Sequence, residues 1–276
     1  VTRNVDVDVV AGFGDEWSRF DQTALAEAEV ESLFSEYFDV FPWSELPPNA
    51  VGFDAGCGSG RWARLVAPRV GTLRCFDASP AAAAVAARNL APYPNCEVSV
   101  AAVDAMPIAD GSADFGYSLG VLHHIPDTAA ALRDCVRKLR PGAPFLLYLY
   151  YRFDNRPAWY QMLWSLTNGV RWLVSRSPHP VRYVISQILA AVVYWPLSRS
   201  ARLAEKLGIA VQSWPLAYYR NRSYYVLRTD ALDRFGTRLE QRFTKAEIES
   251  MMRESGLTDV VFSPHAPFWC AVGRKA

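Results

Sequence analysis

The sequence predicts an α/β fold in which a mostly parallel sheet carries helices on both faces and is interrupted by a helical insertion. Three observations predict it. Residues 49–151 alternate short apolar runs with helical runs, the pattern of strands joined by crossover helices. A glycine-rich loop, Asp54 to Gly60, falls between the first apolar run and the first helical one. The alternation stops at residue 152, gives way to long apolar helical stretches, and resumes at residue 243.

The elements follow in order. Residues 1–48 form a helical lead-in, with Thr23 to Phe38 helical and Leu25, Val30, Leu33 and Phe34 facing inward; Pro47 and Pro48 end it. In the core, 49–151, the strands are Val51–Asp54, Thr72–Asp77, Glu97–Ala101, Asp114–Ser118 and Pro144–Tyr151. The helices between them are Arg61–Ala67, Pro80–Leu90 and Thr128–Leu139. Ser79 before Pro80 is a cap followed by the residue best suited to a first helical turn. Residues 152–242 are the insertion, expected as a lid over an acceptor site, with helices Trp159–Val174 and Val181–Leu197 and a Tyr- and Arg-rich stretch, Tyr218 to Arg242. In residues 243–276, Thr244 and Glu247 have capping-box spacing and open a helix that Gly256 stops. Thr258–Ser263 and Phe268–Arg274 are the last two strands.

Composition narrows the function classes. The 276 residues are 51% hydrophobic and 21% charged, which suits a packed globular chain. A net charge of +1 gives no reason to expect nucleic acid as a partner. The five cysteines, Cys57, Cys75, Cys96, Cys135 and Cys270, are odd in number and contain no Cys-x-x-Cys pair. No disulfide framework and no metal centre are expected, and a reducing cytoplasm fits. Val1 to Val10 alternates acid and valine and lacks a signal-peptide pattern. Val184 to Leu197 is apolar but falls short of the roughly 20 residues that a spanning helix needs, and is expected to be a buried or interfacial helix.

Four segments carry chemistry. Asp54-Ala55-Gly56-Cys57-Gly58-Ser59-Gly60 follows a strand and opens a helix, so its glycines let backbone pass close to a ligand beside free helical N–H groups. A dinucleotide loop needs its third glycine one residue later, where Arg61 stands. Asp77, followed by Ala78, ends the second strand, where an acid accepts the hydroxyls of a ribose. Asp104 in Val103-Asp104-Ala105-Met106-Pro107 can accept from an exocyclic amine, with Met106 against the ring. The fourth segment, Asp114 to Asp127, ends a strand at Leu119 and then places His123 and His124 near the carboxyl edge of the sheet, where ligands of such folds bind.

Together these segments resemble the successive motifs of class I S-adenosylmethionine (SAM)-dependent methyltransferases, in particular the bacterial small-molecule and ubiquinone/menaquinone-type group. The resemblance covers roughly residues 50–150 and, in outline, the last 34. It implies a Rossmann-like seven-stranded sheet with an antiparallel last strand. It implies SAM as cofactor, cradled by Asp54, Gly56, Cys57, Gly58 and Gly60, with Asp77 and Ala78 at the ribose, Asp104, Ala105 and Met106 at the adenine, and Leu119 lining the pocket. Phe13 to Phe20 is similar to a segment that closes over SAM in some bacterial members, which makes Trp17 and Arg19 candidates for cofactor contact; packing alone is the other reading of Trp17.

The expected reaction moves a methyl group to O or N of a small-molecule, sugar or lipid-linked acceptor, with His123 and His124 as candidate general bases. Carbon methylation of a quinone-like ring and a non-catalytic SAM-binding regulator are the alternatives. Tyr150, Tyr218, Tyr219 and Arg220 are candidate acceptor contacts. The arginines between Tyr218 and Lys245 could hold a phosphate or carboxylate, or be surface ion pairs. The apolar helices could pack the insertion onto the core, form a homodimer contact or rest on a membrane face as a peripheral contact.

Overall fold

Seven of the apolar runs do become strands of one sheet in the computed structural model, which describes residues 4–276. The strands are β1 (Val51–Ala55), β2 (Thr72–Asp77), β3 (Cys96–Val100), β4 (Phe115–Leu119), β5 (Pro144–Tyr148), β6 (Leu257–Phe262) and β7 (Cys270–Lys275). Their spatial order is β3-β2-β1-β4-β5-β7-β6. The first five pair in parallel, and β7 enters antiparallel between β5 and β6. The order reverses beside β1, between β1 and β4, and that is the place where an open α/β sheet makes its ligand crevice.

Around the sheet stand α1 (Val7–Arg19), α2 (Glu27–Tyr37), α3 (Ala63–Val66), α4 (Pro80–Leu90), α5 (Thr128–Lys138) and α10 (Lys245–Glu254); α6 (Ala158–Val174), α7 (His179–Leu189), α8 (Trp195–Lys206) and α9 (Tyr224–Gly236) belong to the insertion. The predicted helix starts hold. Ser79 accepts from the Ala82 N–H, and Thr244 and Glu247 form the reciprocal capping box. Two features differ from expectation. The lead-in contains two helices, because Asp6 accepts from the N–H groups of Asp8 and Val9 and starts α1 inside what reads as an alternating stretch; Val1 to Arg3 lie outside the described residues. The helix expected to end at Leu197 runs without a break from His179 to Lys206, and by length and composition it is the one helix among the described residues able to cross a membrane, with 22% of its most apolar stretch buried. A π-turn at Ala190–Tyr194 comes just before Pro196: the Trp195 N–H donates to the Ala190 carbonyl five residues back, and the helix continues past the proline.

The centre of the sheet interlocks by size. Gly52 lies beside Phe115 and Phe53 beside Gly116 in the β1–β4 register. A Cβ on either glycine would stand 2.2–2.3 Å from the facing phenyl ring, so each ring fills the space a side chain would need. One face packs Phe53, Phe145 and Leu147 against Leu132 and Val136 of α5 and Ile248 and Met252 of α10. The other sets Phe115 and Tyr117 against Phe41 and Phe38.

Contacts divide the chain into two compact units. Everything described up to Tyr151, together with Leu239–Ala276, forms the first, and Arg152–Arg238 forms the second. In the second, α9 packs against both α6 and α7, around Val174, Ala190, Tyr194, Leu227 and Ala231.

Candidate functional site

The loop after β1 hangs from the end of β2. The N–H groups of Gly56 and Cys57 both donate to the Phe76 carbonyl at 2.8 and 2.9 Å. The Gly58 N–H donates to Asp77 Oδ2 at 2.9 Å and the Ser79 N–H to Asp77 Oδ1 at 2.8 Å. Asp77 therefore sets the loop before it meets any ligand. Burial pushes its carboxyl above the ordinary range, and the Ser79 and Gly58 N–H groups oppose that shift. Gly56 has φ +86°, and a Cβ there would stand 2.4 Å from Val121; Gly58 has φ +55°, and a Cβ would stand 2.9 Å from the Trp17 indole. Both positions need glycine for conformation and for space.

A pocket opens above this loop. Its floor is Gly56, Cys57, Gly58 and Ser59; Asp77 and Ala78 form one wall and Leu119, Gly120 and Val121 another. Helix α1 supplies the cover through Val9, Val10, Phe13 and Trp17. Trp17 was a cofactor candidate in the sequence and Phe13 lies in the segment read as closing over SAM; Val9 and Val10 were missed, as were the pocket residues Asn4, Arg61, Val121 and Ile125. Gly14 lets α1 approach α4, since a Cβ there would lie 2.6 Å from Ser79 Oγ.

The remaining expected cofactor residues surround this pocket without lining it. Asp54 is buried under the loop. Burial raises its carboxyl to about 8, the nearby Tyr117 phenol opposes the rise, and Asp77 adds to it. Gly60 turns the loop at φ +77°. Asp104 sits in a short turn with Ala105, and its Oδ2 accepts the Asn4 N–H at 2.9 Å. Met106 is a correction: only 3% exposed, it packs into the core, because the turn at Pro107 buries it. Arg19 is a second: it is absent from the pocket lining and pairs with Asp15 at 2.8 Å, one helical turn back.

The two histidines differ in state. His123 is fully buried and stacks on Tyr150 with ring centroids 3.9 Å apart. Its Nδ1 faces the Tyr150 N–H at 3.4 Å and takes the acceptor role, which puts the ring proton on Nε2. Burial first, then the neighbouring His124 and Arg242, hold its pKa well below the ordinary value. This ring is neutral, and its lone pair is turned to the backbone, so the structure takes His123 out of the base role; Tyr150 serves to pack it. His124 lines the cavity beside Phe13, centroids 4.9 Å apart. Its Nδ1 lies 2.7 Å from the Leu239 carbonyl. A carbonyl only accepts, so Nδ1 carries the proton and the lone pair stands on Nε2. The segment supplying that carbonyl is fastened by Gln241, whose N–H donates to the His123 carbonyl and whose side-chain amide donates to Ile125 and Thr128.

Tyr218, Tyr219 and Arg220 lie in the second unit, on a turn at Ala217–Asn221. Arg220 makes a two-pronged bond to Glu205 at 2.9 Å on each arm. Tyr219 is partly buried beside Tyr194, its phenol pushed well up by desolvation and by Asp230. These are packing and ion-pair roles inside that unit. Among the described residues no group of His, Cys, Asp or Glu side chains is arranged to hold a metal ion.

A sheet reversed between β1 and β4, a glycine loop fastened to the acid ending the next strand, and a pocket over both define a nucleotide-type cofactor site of the class I methyltransferase fold. Residues 53–147 match the methyltransferase domain family, and this domain is a class I SAM-dependent methyltransferase domain. A Mycolicibacterium smegmatis protein named as a probable S-adenosylmethionine-dependent methyltransferase is 34% identical over 105 residues, 38% of this chain and 39% of that protein. A Xanthomonas oryzae ubiquinone biosynthesis O-methyltransferase is 25% identical over 179 residues, 64% of this chain and 71% of that protein. A Methanosarcina mazei protein, solved as a SAM-dependent methyltransferase, shares the fold with a TM-score of 0.50 at 14% identity, covering 86% of this chain and 98% of that one. The matched stretch spans less than two fifths of several of the curated relatives.

The residues present fit SAM. Asp104 Oδ1 and Ser59 Oγ are buried polar atoms with no hydrogen-bond partner within the protein, and such atoms call for a ligand. The loop lines the pocket through Gly56, Cys57, Gly58 and Ser59.

Proposed function

We propose that this protein transfers the methyl group of SAM to an oxygen of a small hydroxylated acceptor, with nitrogen as the other candidate atom, and that His124 is the general base. The single observation behind this is the 2.7 Å contact between His124 Nδ1 and the Leu239 carbonyl, in a ring that lines the pocket. It fixes the tautomer whose Nε2 can take a proton.

Gly56, Cys57, Gly58 and Ser59 would hold the cofactor's amino-acid end, Asp77 its ribose and Asp104 its adenine amine. When bound, SAM supplies a methyl group already activated on a sulfonium. The protein's own task is to place the acceptor, remove its proton and keep water out. The apolar cover of Val9, Val10, Phe13 and Trp17 excludes water. A hydroxyl is a poor nucleophile until its proton leaves, and His124 Nε2 receives that proton while Leu239 holds the other side of the ring.

The test is methyl turnover from labelled SAM across a panel of phenols, sugars and amines, with wild type and His124→Asn. The asparagine amide can keep the bond to Leu239, so binding of S-adenosylhomocysteine should be unchanged. The turnover rate on a hydroxyl acceptor should fall about 10²- to 10⁴-fold. Full turnover by His124→Asn would remove the base assignment.

A further inference from the structure

The insertion unit carries an apolar surface unlike the rest of the protein. On α6, Met162, Leu166, Val170 and Leu173 recur every three or four residues, which puts them on one face, and all four are exposed, Leu166 by 70%. On the long helix that follows, Val181, Val184, Ile188, Val192 and Trp195 form a second exposed stripe, with Ile188 at 54%. Both helices turn another face to α9, so these stripes are left over after the unit has packed its own core. Contiguous apolar surface on this scale marks an interaction site.

Charge says what covers it. Between Asp154 and Glu205 the sequence has no acidic residue and six arginines, Arg156, Arg171, Arg176, Arg182, Arg199 and Arg202, in a chain whose net charge is only +1. Two of the guanidinium groups lie over tryptophans of the same helices, Arg176 over Trp172 at 4.4 Å and Arg199 over Trp195 at 4.0 Å. Trp172 and Trp195 are themselves exposed. Apolar stripes flanked by Trp and Arg, with no acid among them, are the composition of a helix lying in a membrane interface.

We infer that α6 and the His179–Lys206 helix dock in the plane of an anionic lipid bilayer. A second copy of the chain is a poorer occupant, because a two-fold contact would bring this acid-free, arginine-bearing surface against itself. A span is also a poorer fit. Ala190 and Tyr194 on the long helix are buried in the unit's own core, and Arg199 donates to the backbone carbonyls of Arg220 and Arg222.

The experiment is flotation of the full chain with vesicles of phosphatidylcholine alone or of phosphatidylcholine mixed equally with phosphatidylglycerol, at low and high salt. Wild type is compared with Leu166→Glu/Ile188→Glu, and sedimentation velocity and circular dichroism are run on both. Expected are binding to the anionic vesicles roughly tenfold or more above the neutral ones, release at high salt, and a roughly tenfold loss in the double variant with its spectrum and S-adenosylhomocysteine binding intact. Equal affinity for the two lipids, no binding to either, or release only by detergent would overturn it. So would a self-association of the wild type that the variant abolishes in the absence of lipid binding. The S-adenosylhomocysteine arm keeps this outcome separate from the methyl-transfer proposal.

Discussion

Replacing Gly56 by alanine puts the geometry of the cofactor loop to a quantitative test. The new Cβ would stand 2.4 and 2.5 Å from the two Val121 methyl groups and 2.9 Å from the Val121 Cβ. The backbone at φ +86° adds a strain of about 1–2 kcal/mol for a residue with a side chain. Overpacking adds about 1–3 kcal/mol, so the total loss of stability should be roughly 2–5 kcal/mol. Gly120 provides the control: its φ is +78°, but a Cβ there meets nothing within 4 Å, and Gly120→Ala should show the backbone part alone. In the double variant Gly56→Ala/Val121→Ala the overlap is gone, and a coupling of about 1–3 kcal/mol should reappear as recovered stability. Urea unfolding midpoints of these variants, of Val121→Ala alone and of wild type measure this, and titration with S-adenosylhomocysteine follows the pocket. Equal destabilisation at Gly56 and Gly120, with no recovery from Val121→Ala, would refute the close approach of the loop to Val121.

Two further substitutions concern the buried acids. Asp54 is raised to about 8 by burial, so at neutral pH the folded protein holds a proton that the unfolded chain releases. Stability from this group is therefore greatest at acidic pH and is lost as pH rises from about 4 to about 8. Asp54→Asn should flatten that slope, gaining on wild type by several kcal/mol across the interval when urea midpoints are measured as a function of pH; parallel slopes would contradict the burial account. Asp77→Ala removes the acceptor of both the Gly58 and the Ser79 N–H groups as well as the proposed ribose contact. It should lower stability by about 1–3 kcal/mol and weaken S-adenosylhomocysteine binding by roughly tenfold or more by calorimetry.

Much of the core was legible because local rules and the global fold agree there. Glycine spacing after an apolar run located the loop, Ser79 with Pro80 and Thr244 with Glu247 located helix starts, and alternation located all seven strands, with ends within two residues except for Pro144–Tyr148, read three residues too long. The site was legible where a residue acts through its own backbone or carboxylate, as at Gly58 and Asp77. It was less so where tertiary packing assigns the role. Helix α1 was hidden because valine and aspartate alternate with a strand's period, while the Asp6 cap starts a helix. The difference between His123 and His124 depends on the Leu239 carbonyl, more than 100 residues away. Met106 has the composition of a ring contact and the position of a core residue. The insertion's long helix was read as ending at Leu197, beside Pro196, whereas it passes that proline after a π-turn.

The central claim is that the pocket over the β1 loop is built for SAM. The most direct measurement is calorimetric titration of the purified protein with SAM, S-adenosylhomocysteine and NAD. The account predicts micromolar-range binding of the first two and none of NAD. Binding of NAD by folded protein that ignores both SAM and S-adenosylhomocysteine would contradict it.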